Sequence, residues 1–253
     1  MEAKGDPLSR QTMSNWLIKA CHDWLTPIYE EMKRRLCEHE VLHGDETTLQ
    51  VLKEPGKAAQ SKSYMWLYRT SGEAKHQLVL YDYQPDRKHI HPEAFLKNFK
   101  GYLHADGYEG YHRLPEKIIV VGCLAHLRRK FFDAFKTLPK EKQAGSNAAI
   151  GVAYCDKLFH FEKQFALLSL HDRHKERGRL SRPLFDQFYN WIEGIAALPN
   201  TLLGKAIHYA KSQRKYLARY LLDGRLEISN NRAERSIKPF VIGRNYVLTL
   251  FMC

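Results

Sequence analysis

Residues 41–52 read VLHGDETTLQVL. Apolar residues flank a polar centre, which predicts a short strand with Asp45 inside it. A carboxylate between Val41, Leu42, Leu49 and Val51 does nothing for packing, so it asks for another explanation. Two more extended runs follow, SYMWLYRT (63–70) and HQLVLYDY (76–83), both rich in aromatic and β-branched residues. Ser71-Gly72 marks the turn between them. Three strands on short connections predict an antiparallel meander.

Downstream, Pro92 to Phe99 predicts a helix with Phe95, Leu96 and Phe99 on one face. Gly101 to Ala105 is a short strand ending at Asp106-Gly107. KIIVVG (117–122) is a strand of buried type, and Leu124 to Leu138 a basic amphipathic helix. Upstream, Trp16, Leu17, Ala20 and Trp24 recur at helical spacing. Thr26-Pro27 then predicts a cap with a proline at the first helical position, and Ile28, Met32 and Leu36 continue the apolar stripe. Strands crossing through helices after a meander predict an α/β fold, a mixed sheet with flanking helices in the ribonuclease-H-like order. From about Lys140 to Asp223 the pattern is helical, with Tyr154, Leu158, Phe161 and Phe165 at helical spacing, and then Phe185, Phe188 and Ile192. ISNNRAER (228–235) opens a helix, and Tyr246 to Phe251 is strand-like. The expected divisions are an N-terminal helical segment (1–40), the first part of the core (41–139), a helical insertion (140–223) and the end of the core (224–253).

The chain has 40 Lys and Arg against 28 Asp and Glu, a net charge of +12. Such an excess points to a polyanionic partner, nucleic acid or an anionic surface. The longest apolar run, Ile118 to Ala125, is far short of the ~18 residues a spanning helix needs. Five scattered cysteines form neither a disulfide framework nor a zinc knuckle, which fits a reducing cytoplasm.

Phosphoryl transfer on DNA by a metal pair needs about three carboxylates converging from different elements. Asp45 in HGDET, Asp106 in HADGYEGY and Glu234 in NNRAER offer them. Gly107 lets the chain turn beside Asp106, and ligands of open sheets gather at such strand ends. Each acid has another reading. Asp45 suits a bulge or turn, Asp106-Gly107 is a common turn dipeptide, and Glu234 three residues after Asn231 makes a capping box. The metal reading rests on their joint occurrence.

HGDET, LHADGYEGY, GCLAHLRRKFFDA and ISNNRAERSIKP together resemble the DDE transposases of bacterial insertion sequences, specifically the insertion-sequence sixty-six family. The likeness runs from about Gln11 to Arg244 and extends to SYMWLYRT, RPLFDQFYNWIEG and KAIHYA. It implies a ribonuclease-H-like core interrupted by a helical insertion before the last acid, with Asp45, Asp106 and Glu234 as the DDE acids. It implies Mg²⁺ or Mn²⁺ as a pair of ions, double-stranded DNA as partner and a homo-oligomer assembled on it. Members usually carry an N-terminal DNA- and zinc-binding part and continue past the last acid, so the chain resembles a truncated copy. A DNA-binding remnant without catalysis, and a nuclease without strand transfer, are the rival readings.

Several other residues belong to this picture. Cys123-x-x-His126 has the form of a metal half-site but lacks a second pair nearby, so zinc is not expected. His126 is expected near the cleft. Arg128, Arg129 and Lys130 read either as phosphate contacts or as a solvated face. Arg232, Arg235, Lys238 and Arg244 surround Glu234 and read as phosphate contacts. Asn230 and Asn231 read as helix caps first, with a supporting role at the metal second. The basic run HDRHKERGRLSR (171–182) reads as a solvated helix or loop, with DNA tracking as the other reading. Trp66, Tyr68, Tyr81 and Tyr83 read as sheet core.

Overall fold

The computed structural model describes residues 8–52 and 54–250, the last six by backbone alone. A helical rod opens the chain: α1 (Arg10–Ala20), a π-helical stretch (Cys21–Leu25) and α2 (Thr26–Cys37). Thr26 is not a cap. Its backbone is already helical, its hydroxyl donates to the Cys21 carbonyl, and the wider π turn lets the rod run through Pro27 without a break. The predicted apolar stripe divides. Leu36 is buried against the sheet, whereas Trp16 and Trp24 stay 58% and 69% exposed.

A meander follows, β1 (Val41–Gln50), β2 (Lys62–Thr70) and β3 (Val79–Gln84). β3 starts later than the sequence suggests. The Gln77 amide donates to the carbonyls of Ser71 and Ala74, and Arg69 holds its oxygen, so residues 76–77 belong to the turn. Next come α3 (Ile90–Phe95), β4 (Gly101–His104), α4 (Glu109–His112, not foreseen), β5 (Ile118–Val121) and α5 (Leu124–Lys136). The strands lie in the order β3-β2-β1-β4-β5, antiparallel on the meander side and parallel where β4 and β5 join. This five-stranded mixed sheet with flanking helices is compatible with a ribonuclease-H-like fold.

Between α5 and the last helix lie α6 (Lys140–Gln143), α7 (Asn147–Gln164), α8 (Leu170–Glu176), α9 (Arg182–Glu193) and α10 (Leu202–Leu217). Of these, α7, α9 and α10 share one apolar cluster with the sheet and α5, in which Val41, Val121, Phe131, Leu158, Phe188 and Leu217 are all buried. The other sheet face buries Trp66, Tyr68, Phe95, Phe99 and Tyr111 beneath α2, α3 and α4. Tyr81 and Tyr83 are not core residues. They stand half-exposed on edge strand β3, where their hydroxyls donate to the Ser236 carbonyl and to Glu54.

Residues 171–182 are not a solvated run throughout. Arg177 is buried and donates to Glu162 and to the carbonyls of Tyr220, Asp223 and Leu226. Arg173 reaches the Gly224 carbonyl, so two of these cations tie α8 and the following π turn to the loop that leads into the last helix. That helix, α11, spans Asn231–Leu250 with Pro239 inside it. The strand-like run from Tyr246 is therefore helical to Leu250, and Phe251 lies outside the described residues. Extending an existing helix adds a hydrogen bond per residue without a new nucleus, whereas a strand there needs a sheet edge. Among the described residues no helix is long and apolar enough to cross a membrane.

Candidate active site

The parallel pairing of β1 with β4 sets His43 opposite His104. Two residues further along the same direction come Asp45 and Asp106. Side chains two apart in a strand share a face, so Asp45 leaves the sheet on the side of the stacked His43 and His104 rings, 4.4 Å apart. Asp106 sits just past β4, where its Oδ1 accepts the Tyr108 N–H at 2.9 Å. The next residue must be small, because a Cβ on Gly107 would lie 2.8 Å from the Tyr209 ring of α10.

Helix α11 covers this face. Ala233 and Ile237, one turn apart, pack on Leu67, the β2 residue paired with Asp45. The helix is pinned at its start by Asn230, whose amide donates to the Gly44 carbonyl at 2.7 Å and whose oxygen faces His43 Nδ1 at 2.9 Å. Asn230 thus joins two elements instead of capping with its side chain, and Asn231 is already the first helical residue. The Glu234 N–H bonds to the Asn230 carbonyl, so the capping-box reading of Glu234 does not hold. Burial, then the adjacent His43, holds His104 well below the usual histidine range, and its Nε2 accepts the Glu227 N–H.

Asp45 is the most perturbed acid of this cleft. Its carboxyl is pushed up to about 8, first by burial, then by the charges of Glu46, Asp106 and Glu234. The Glu46 N–H, at 2.9 Å on Oδ1, works against that. All three predicted acids therefore share one electrostatic environment. As they stand their oxygens do not close to within 4.8 Å of one another. Among the described residues, Cys123, His126 and Glu234 do so.

His126 Nε2 lies 3.4 Å from Glu234 Oε1, and burial lowers its pKa while Glu234 and Asp106 oppose that shift. Cys123 precedes α5, accepts the Asn230 N–H at 3.2 Å, and has its thiol pushed up to about 11 by burial. The sequence offered Cys123 and His126 as a pair without a third ligand. The fold brings the third from 108 residues further on, by the packing of α11 beside α5.

Glu46 was not singled out from the sequence, yet its side chain is 1% exposed beside the site. Arg87 Nε donates to it at 2.8 Å and Tyr111 Oη at 2.7 Å. Burial raises its pKa, Asp106 adds to the rise, and Arg87 opposes it. Arg87 also lies 3.8 Å from Asp106 and above the Tyr108 ring. The signal in the sequence was an acid directly after Asp45, which alternation sends to the opposite sheet face.

The basic residues divide. Arg129 is exposed and lies 3.6 Å from Glu234. Lys130 stands over the Tyr209 ring, at the edge of a cleft of about 770 Å³ that Gly107, Lys205, His208 and Lys211 also line. Arg235 and Lys238 are exposed on α11. Three others are engaged within the chain: Arg128 with Asp156, Arg232 with Glu227 at 2.6 Å, and Arg244 with Thr47 Oγ1 and the Thr48 carbonyl. The contribution of α10 to this cleft was not read from the sequence, although Lys205, His208 and Lys211 recur every three residues, a spacing that neighbours on a helix surface share.

The family model described as "Transposase IS66 family" matches residues 1–251. Among curated relatives, an uncharacterized protein, y4qI, of Sinorhizobium fredii (strain NBRC 101917 / NGR234) is 30% identical over 95% of this chain. A second from the same organism, uncharacterized protein y4hP, is 29% identical over 96% of it. The chain spans about half the length of these relatives, 46% and 47%. No solved structure matches. The chain belongs to the IS66 transposase family.

Proposed function

We propose that this chain carries the catalytic core of DNA transposition, cleaving and joining phosphodiester strands with Asp45, Asp106 and Glu234 as carboxylate ligands of Mg²⁺ or Mn²⁺. The observation that carries the reading is the position of Asp45 on β1 and of Asp106 just past the end of β4, its parallel neighbour, beside a helix that bears Glu234. The donor set fits hard cations, which take carboxylate oxygens and keep several waters. Asp45 supports the fit, since its charged form is opposed by three neighbouring carboxylates and has no ion pair among the described residues. When bound, such a metal pair activates the attacking oxygen and stabilises the leaving one.

The chain's own residues supply placement. Asn230 fixes Glu234 relative to β1, the Tyr108 N–H orients Asp106, and the Glu46 N–H orients Asp45. Double-stranded DNA is the substrate that suits the exposed cations Arg129, Lys130, Arg235 and Lys238 together with the α10 cleft. Arg128, Arg232 and Arg244, which have protein partners, take a bracing role in this reading. Assembly as a homo-oligomer on DNA, in the bacterial cytoplasm, belongs to the same proposal.

The test is cleavage of duplexes carrying the ends of the encoding element, in Mg²⁺ and in Mn²⁺, with product analysis for joined strands. Asp45→Asn, Asp106→Asn and Glu234→Gln each reduce cleavage to background while DNA is still bound. Undiminished cleavage by Asp45→Asn defeats the reading. Cleavage without joined product reduces it to a nuclease.

A further inference from the structure

We propose that Cys123, His126 and Glu234 form a second metal site, selective for soft or borderline cations of the Zn²⁺ class, which shares Glu234 with the carboxylate site. The shared-ligand part of this inference rests on the function proposed above. The ligand set itself does not.

The three ligand atoms fall within 4.8 Å of one another. The His126 Nε2 to Glu234 Oε1 spacing of 3.4 Å is long for a charge-assisted hydrogen bond. It matches the roughly 3.3 Å that separates two ligands, each about 2.05 Å from a tetrahedral zinc. Glu234 Oε1, the oxygen that faces His126 Nε2, is buried without a hydrogen-bond partner. Buried polar atoms of that sort call for an explanation, and an ion is one. Cys123 is placed for the task as well. It stands at the N-terminus of the thirteen-residue helix α5 and accepts the Asn230 N–H. Burial favours the thiol here and the Asn230 N–H works against that; a coordinating cation deprotonates a thiol outright.

Thiolate and imidazole ligands select zinc-like ions over magnesium, which prefers oxygen. Three protein ligands leave a fourth position for solvent. Glu234 cannot serve both sites fully, so a soft cation here withdraws a carboxylate from the Mg²⁺ site. Zinc becomes an inhibitor of the Mg²⁺ reaction that acts through Cys123.

The probe is Co²⁺, added to the full chain and followed by absorption. A thiolate-bound tetrahedral ion gives a sulfur-to-cobalt charge-transfer band and intense visible bands, both displaced by Zn²⁺. Cys123→Ser removes the charge-transfer band, while Cys37→Ser and Cys155→Ser retain it. Glu234→Gln and His126→Gln weaken Co²⁺ binding by more than about tenfold, the lower bound for losing even an outer partner of a metal ligand. These two conservative variants decide the matter if Cys123→Ser fails to fold. A band that persists in Cys123→Ser overturns the proposal. So does a wild-type protein that binds Co²⁺ only in octahedral form, or one whose binding ignores both Glu234 and His126. Asp45→Asn separates this inference from the proposed function: it keeps the cobalt band while losing cleavage. Cleavage that survives in that variant defeats the transposase chemistry and leaves the zinc site standing. An absent band alongside Asp45-dependent cleavage does the reverse.

Discussion

The side-chain amide of Asn230 donates to the Gly44 carbonyl at 2.7 Å, across 186 residues of sequence. Gly44 immediately precedes Asp45, and Asn230 immediately precedes the helix of Glu234. One buried side chain therefore sets the separation of the first and last acids. Asn230→Ala leaves the Gly44 carbonyl and His43 Nδ1 without their partner, and unpaired buried groups cost about 1–3 kcal/mol each. Urea denaturation is expected to show a loss of that order. Cleavage should fall further than the stability loss explains, measured where the variant is still folded.

Asp45 gives the protein a pH dependence of definite sign. Its carboxyl titrates near 8 in the folded chain, against about 3.9 in an unfolded one. Between these values the folded state holds a proton that the unfolded state has released. The contribution is full below about 4 and is lost as pH rises toward 8. In EDTA the unfolding midpoint of the wild type should fall between pH 5 and 8 more than that of Asp45→Asn. Equal slopes for the two proteins would show that Asp45 does not titrate there.

Arg87 stabilises the buried Glu46 carboxylate. Arg87→Met strands that charge with Tyr111 alone, at a cost of about 1–3 kcal/mol. Adding Glu46→Gln removes the stranded charge and should restore part of the loss. A double-mutant cycle by chemical denaturation reads the coupling, and additive effects would mean that the pair contributes nothing.

The α10 cleft predicts a salt signature. Lys130→Ala and Lys205→Ala should each weaken DNA binding alike across sequences and reduce the slope of log affinity against log salt by about 1. Fluorescence anisotropy from low to moderate salt measures it. Unchanged slopes would place the DNA elsewhere.

Much of the sheet was legible, because alternation and turn chemistry are local. Asp45 in a strand and Asp106 at a strand end could be read from their neighbours alone. Glu234 could not be separated from a capping box until Asn231, its presumed cap, was seen to lie inside the helix. Glu46, Arg87 and Tyr111 meet only in three dimensions, as do Cys123 and Glu234, so no spacing announces them. The run from Tyr246 misled because β-branched and aromatic residues favour strands only where a sheet edge receives them, and α11 reaches it first.

The absence of a side chain at Gly107 lets the Tyr209 ring rest against the turn that holds Asp106. The helical region is therefore not interchangeable cargo slotted between two halves of the core. A chimera that imports this region from a distant relative imports a new surface against that turn, and any bulkier residue at either position displaces the second acid. Exchange between lineages has to carry the glycine and the tyrosine together, as a matched set.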